Sequence, residues 1–187
     1  MEFFDVIASR HSVRTYKPDP VPQELITQCL EAARTAPSWR NGQCWRFLVI
    51  QDRQVIDQLA AQRVYGYPIN SWLRRAPAVV VACAVPGESG EHDGIPYWAV
   101  DTAIAMEHLV LAATALGLGT CWIGGFNESP VRAMLGIPEG IKIVAYTPLG
   151  YPAQAEGLMG RTVKTIARSH SRKALEKIVH YERWGQR

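Results

Sequence analysis

Ala78 to Ala84, with Val79, Val80 and Val81 consecutive, carries an apolar side chain at every position. A strand with one wet face alternates polar and apolar residues, so a run that is apolar on both faces reads as a central strand covered on both sides. The rest of the chain must supply neighbouring strands and two layers of cover. Three other segments read as strands: Trp45 to Ile50, a short one near Thr120 to Ile123, and Lys142 to Leu149.

Helical periodicity fills the intervals. Phe3, Phe4, Val6 and Ile7 predict a short amphipathic helix that delivers the chain into Arg10. Pro22 suits a first helical position, and Leu25, Ile26, Cys29, Leu30, Ala32 and Ala33 form one apolar face that should end before Pro37. Asp52 is placed to cap a helix through about Gln62, and Asn70 to Arg75 reads as a helical turn. The longest helix should run from about Tyr97 to Leu116, burying Ala103, Met106, Val110 and Ala113 and stopping at Gly117. Its many alanines let another helix approach closely, at the centre of the subunit or of a dimer interface. Ser129-Pro130 opens a helix that Gly136 closes, and Ala174 to Val179 reads as helical within a basic tail. Pro86 to Pro96, rich in glycine and bounded by prolines, reads as a mobile loop. The resulting order suits an α+β fold, a mixed sheet with flanking helices, and no domain boundary or 20 to 50 residue repeat interrupts residues 1–187.

The 20 Lys and Arg against 17 Asp and Glu give a net charge of +3, too small and too scattered to predict a nucleic-acid partner. Cys29, Cys44, Cys83 and Cys121 form no C-x-x-C pair, and the five histidines show no metal spacing, so neither a disulfide framework nor a metal site is expected. The acidic start Met1-Glu2-Phe3-Phe4-Asp5 is unlike a secretory signal, and Ala76 to Val85 is about half of the roughly 20 residues a membrane helix needs. A cytoplasmic protein with no membrane partner is the expectation.

Two stretches concentrate polar chemistry. Arg10-His11-Ser12-Val13-Arg14, followed by Thr15, gathers two permanent cations, an imidazole and hydroxyls where a chain leaves a helix. Guanidinium forks and hydroxyls are what a dianionic phosphate wants, although five such residues also describe a solvated basic turn. Pro37-Ser38-Trp39-Arg40-Asn41-Gly42-Gln43-Cys44 is an aperiodic loop rich in amides. An amide supplies both a donor and an acceptor, and Asn41 would equally serve an Asx turn.

These two stretches, together with Gly117-Leu118-Gly119-Thr120-Cys121-Trp122-Ile123-Gly124-Gly125-Phe126, Leu149-Gly150-Tyr151-Pro152 and the ending Ser171 to Val179, resemble in order the signatures of the FMN-dependent nitroreductase family. The resemblance covers nearly the whole chain. It implies a nitroreductase-like FMN-binding fold with a mixed, mostly antiparallel sheet, in one domain spanning 1–187. It further implies an interlocked homodimer with two FMN molecules at the interface and a tail, about 153–187, reaching the partner. By resemblance Arg10, Ser12 and Arg14, with His11 beside them and Arg172 joining from the tail, take the flavin phosphate and ribityl chain. Pro37, Ser38, Trp39, Asn41 and Gln43 would meet the ribityl chain and ring edge, in part from the partner subunit. Trp122 and Ile123 lead to Gly124 and Gly125, whose backbone N–H groups would approach the reactive ring. Some family members carry glutamate where Gly124 stands, and proline commonly follows the glutamine where this chain has Cys44. With no activating histidine or helix terminus assignable to it, Cys44 is not expected to act as a nucleophile.

The implied activity is NAD(P)H-dependent reduction of nitroaromatics, quinones or related small acceptors by ping-pong hydride transfer, with NADH or NADPH as co-substrate. The absence of an acid-base constellation suits this, because the cofactor supplies the reactive centre. The segment 86–98, ending in Tyr97 and Trp98, is the candidate lid and substrate wall. The rival readings are a specialised enzyme of the same fold, of dehalogenase or dehydrogenase type, and a flavin-binding or sensing module without turnover.

Overall fold

A computed structural model describes residues 1–153 and 171–186, and the chain divides into two compact units, Met1–Gln154 and Ala155–Arg187. In the first unit the order is α1 (Phe3–Ser9), α2 (Gln23–Arg34), β1 (Trp45–Ile50), α3 (Arg53–Ala61), β2 (Ala78–Ala84) and α4 (Pro86–Ser89). It continues through the two-residue strands β3 (Glu91–His92) and β4 (Ile95–Pro96), then α5 (Tyr97–Ala115), β5 (Gly119–Thr120), α6 (Glu128–Leu135) and β6 (Lys142–Gly150). Turns of 3-10 helix at Trp39–Asn41 and Ser71–Arg75 join these elements.

The main sheet runs β1-β2-β6-β5 with antiparallel neighbours throughout. At its β5 edge the segment after α1 adds a parallel bridge, Ser12 to Thr120, fixed by the Val13 N–H donating to the Thr120 carbonyl at 2.8 Å. The sheet is therefore mixed but mostly antiparallel. Every residue of β2 is buried, because alternate side chains enter two cores. Val79, Val81 and Cys83 pack with Ile56 and Leu59 of α3, Val131 of α6 and Tyr146 of β6. Ala78 and Val80 pack with Ile26, Cys29 and Ala33 of α2 and Ala105, Leu109 and Ala113 of α5. Each of these valines contributes about 1.5–3 kcal/mol through burial.

Local signals set the boundaries. The Asp52 carboxylate accepts from the N–H groups of Gln54 at 2.8 Å and Val55 at 3.2 Å, capping α3. Gly136 closes α6 in the left-handed conformation at φ 63°. Pro22 sits at the N-cap of α2 rather than inside its first turn. His108 of α5 faces the Ala32 carbonyl of α2 at 3.3 Å, a packing contact between the two helices.

Five expectations need correction. Pro86 to Pro96, read from the sequence as a mobile loop, forms α4 and a β3–β4 hairpin, with Ser89 buried. The third strand shrinks to β5, after which only Ile123 still bridges to Tyr146. Ala103 is only half-buried, and α1 buries Val6 alone while Phe3, Phe4 and Ile7 stay exposed. Where a helix over Ala174 to Val179 was expected, the second unit has one 3-10 turn, Leu175–Lys177, because a segment so short with Leu175 and Ile178 exposed lacks the packing that sustains a helix.

Candidate functional site

The sheet edge at β5 organises the basic stretch. Extended backbone at Arg10 ends α1, and the Ser12 bridge then turns alternate side chains to opposite faces. Val13 goes inward, while Arg10, Ser12 and Arg14 remain half-buried. Gly119 makes the close approach possible, since a Cβ there would lie 2.8 Å from Val13 atoms. Arg10, Ser12 and Arg14 converge on Cys121: burial pushes that thiol pKa up, and Arg14, Ser12 and Arg10 pull it back. The Arg14 guanidinium also stands 6.0 Å from the ring centre of Trp72. Among the described residues neither Arg10 nor Arg14 has a salt-bridge partner, so two guanidinium groups remain available to an anion beside the Ser12 hydroxyl, which also bonds the Cys121 thiol. The His11 ring nitrogen Nδ1 meets the Ser9 carbonyl at 2.9 Å.

From Cys121 the chain leads through Trp122, 42% exposed, and buried Ile123 to an exposed turn at Gly124 and Gly125. Neither glycine has a positive φ. A Cβ at Gly124 would find only Trp122 Nε1 at 3.6 Å, so its lack of a side chain leaves open space above the turn. Asn70, which no sequence signal marked, ties the turn down: its amide donates to the Gly125 carbonyl at 2.8 Å and to the Tyr146 hydroxyl at 3.4 Å. Burial pushes the Tyr146 phenol up to about 12, keeping that support neutral. The basic stretch and the Gly124–Gly125 turn thus share one edge of the sheet.

The amide loop lies elsewhere, against the N-terminal turns of α5. Arg40, Asn41 and Gln43 adopt left-handed φ values of 52°, 56° and 48°. Such conformations cost non-glycine residues about 1–3 kcal/mol each and persist only where surrounding contacts hold them. The contacts here are specific. The Trp39 N–H donates to Asp101 Oδ1 at 3.0 Å, and the Ser38 hydroxyl accepts from the Gln43 N–H at 3.0 Å. Trp39 stacks on Tyr97 at 4.9 Å, and the Arg40 guanidinium lies over the Trp39 ring at 4.2 Å. Asn41 and Gln43 are joined by an amide contact of 3.2 Å and both side chains are exposed. Pro37 is exposed at the loop entrance. Cys44 is fully buried, its thiol donating to the Trp98 carbonyl at 3.5 Å, which makes it a packing residue.

Within one subunit these two groups sit at different levels of α5. The loop is bonded near Asp101, whereas Arg10 acts electrostatically on Glu107, about 9 Å further along the helix axis. Arg172 belongs to the second unit, where its guanidinium donates to the Ser171 carbonyl at 3.0 Å. Among the described residues no cluster of His, Cys, Asp and Glu could hold a metal, and no helix is long and apolar enough to cross a membrane.

Comparison with known proteins agrees with this architecture. The Nitroreductase family model matches residues 7–65 and 57–151. The NADH dehydrogenase of Thermus thermophilus is 32% identical over 176 residues, covering 78% of this chain and 84% of its own. The FMN reductase [NAD(P)H] of Bacillus subtilis is 30% identical over 172 residues, 81% of this chain and 66% of its own. A crystal structure of a nitroreductase family protein from Clostridium novyi NT superposes with a TM-score of 0.77 at 32% identity, covering 100% of this chain and 96% of that one. Family model, sequence relatives and solved fold coincide over the same sheet and helices, and the chain belongs to the nitroreductase family.

Proposed function

We propose that the protein is an FMN-dependent NAD(P)H oxidoreductase that reduces nitroaromatics, quinones or similar small planar acceptors. The observation that carries this reading is the pair of guanidinium groups, Arg10 and Arg14, standing with Ser12 at the sheet edge with no salt bridge among the described residues. That donor set fits the phosphate of FMN, for which bidentate, charge-assisted bonds are the strongest available. The exposed turn at Gly124 and Gly125 on the same edge offers backbone N–H groups and room for a flat ring. Bound FMN supplies the two-electron relay between nicotinamide and acceptor.

Arg10, Ser12 and Arg14 fix the cofactor's register through its phosphate, with Arg172 as a further cation. The Gly124–Gly125 turn, pinned by Asn70, presents a preorganised edge that needs no reordering during the reaction. One open site serves nicotinamide and acceptor in turn, which gives ping-pong kinetics. Ser38, Asn41 and Gln43 complete the site from the partner subunit, which explains why one chain keeps the amide loop and the basic stretch apart. A homodimer also accounts for exposed apolar surface on α1, where Phe3 and Phe4 are 64% and 80% exposed, and for Val100, Ile104 and Leu111 of α5, which the subunit leaves incompletely covered.

The test is spectroscopic. The purified protein should carry a flavin absorbance that bleaches on anaerobic mixing with NADH or NADPH and returns when a quinone or nitroaromatic is added. A protein that cannot retain FMN, or bound FMN that neither nicotinamide reduces, refutes the reading.

A further inference from the structure

Asp101 is a carboxylate on α5 that is 2% exposed. Its two oxygens face different segments. Oδ1 accepts the Trp39 N–H of the amide loop at 3.0 Å, and Oδ2 accepts the Ser89 hydroxyl of α4 at 2.5 Å. A buried carboxylate remains only where such donors satisfy it. The two segments also touch directly. A Cβ at Gly42 would lie 2.2 Å from the Glu88 carbonyl oxygen and 2.9 Å from Ser89 Oγ, and a Cβ at Gly90 would lie 3.5 Å from the Trp39 ring. Trp39 stacks on Tyr97 and Arg46 pairs with Glu88 at 2.6 Å, so further contacts tie the amide loop to α5 and α4 to β1.

We propose that Asp101 is a positioning residue: its carboxylate clamps the Trp39 amide to α4 and so holds Ser38, Asn41 and Gln43 in the conformation that meets the flavin. This rests on the FMN-dependent function proposed above. Under it, the segment from Pro86 to Pro96 is the buttress of the amide loop, and the two move as one body. The left-handed residues Arg40, Asn41 and Gln43 make the point acute, because a loop in that conformation relaxes when its anchor is lost. Asp101 touches no cofactor; it acts through the loop's backbone.

The experiment compares holoenzyme carrying Asp101→Ala, Asp101→Asn and Gly42→Ala with the parent. Asn keeps an oxygen for the Trp39 N–H, so it should retain FMN affinity within about threefold, whereas Ala should weaken FMN binding about tenfold. Gly42 has an ordinary helical φ of −69°, so Ala there tests crowding alone. It should weaken FMN binding similarly by driving the loop from α4, and it serves if Asp101→Ala does not fold. The second readout is the flavin midpoint potential, which a purely structural role would leave in place. A displaced loop should alter the relative affinity for oxidised and reduced flavin about tenfold, a shift of about 30 mV for a two-electron couple. Loss of affinity with a shifted potential in Asp101→Ala, rescued in Asp101→Asn, supports the clamp. Parental affinity and potential in Gly42→Ala and in any folded Asp101→Ala protein overturn it while leaving the functional reading intact. Failure of the parent itself to bind FMN overturns both.

Discussion

Arg14 shows how one side chain acquires a task from its backbone. The parallel bridge at Ser12 lays the basic stretch on the β5 edge, and Val13 locks it there against Gly119. Arg14 then has Trp72 beneath it and no carboxylate to neutralise it among the described residues. A charge-assisted bond to phosphate is worth about 1.5–3 kcal/mol, so Arg14→Ala should weaken FMN binding about tenfold to a hundredfold. Flavin fluorescence titration measures it, with the circular dichroism of the apoprotein unchanged; unaltered affinity would remove Arg14 from the site. The sequence shows the donors this stretch offers, guanidinium and hydroxyl groups suited to an anion, and its phosphate role is part of the function proposed above. Asn70, Trp72 and Asp101 are not legible, because their roles arise from partners that folding brings to them. Asn70 reaches Gly125 and Tyr146, 55 and 76 residues away, and Asp101 reaches Trp39 from 62 residues away.

At the level of elements, β2 is the part of the fold the sequence states most directly. Seven apolar residues demand two covering layers, and α3 with α6 and α2 with α5 provide them. The Pro86 to Pro96 segment misleads for the opposite reason. Gly and Pro mark local backbone freedom, but α4 and its hairpin are stabilised by Asp101, Trp39 and Tyr97, which local sequence does not announce. The two cores also bury ionisable thiols. Cys83 on β2 and Cys29 on α2 are each pushed up to about 11 by burial, against about 9 for an exposed thiol. Between those values the unfolded chain has released these protons and the folded chain has not, so folding stability falls as pH rises through that window and is fully present below it. Melting temperatures measured from pH 8 to 11 should decline above about pH 9, and less steeply in a Cys29→Ala, Cys83→Ala double variant. Equal slopes would show that these thiols do not contribute.

For the molecule as a whole, the exposed face of α1 is the feature a lone subunit does not explain. Phe3 and Phe4 meet edge to face at 5.5 Å, yet only Val6 of this helix is buried within the subunit. Large aromatic side chains bury 150–250 Å² each when covered, so two of them beside the open stripe of α5 offer a strong anchor for a second copy. Phe4→Glu should leave the subunit fold nearly unchanged, since surface substitutions at such exposed positions move stability by about 0.5 kcal/mol or less. In a dimer it would place an unpaired charge in the interface, raising the dimer dissociation constant about a hundredfold. Sedimentation measures that constant directly. The basic stretch and the amide loop of one chain lie at different levels of α5, and under the function proposed above each complete flavin site draws on both subunits. FMN retention should therefore fall over the same range of protein concentration in which the variant dissociates. A variant that stays dimeric would remove α1 from the interface, and a monomer that keeps its FMN would show that one subunit builds the site alone.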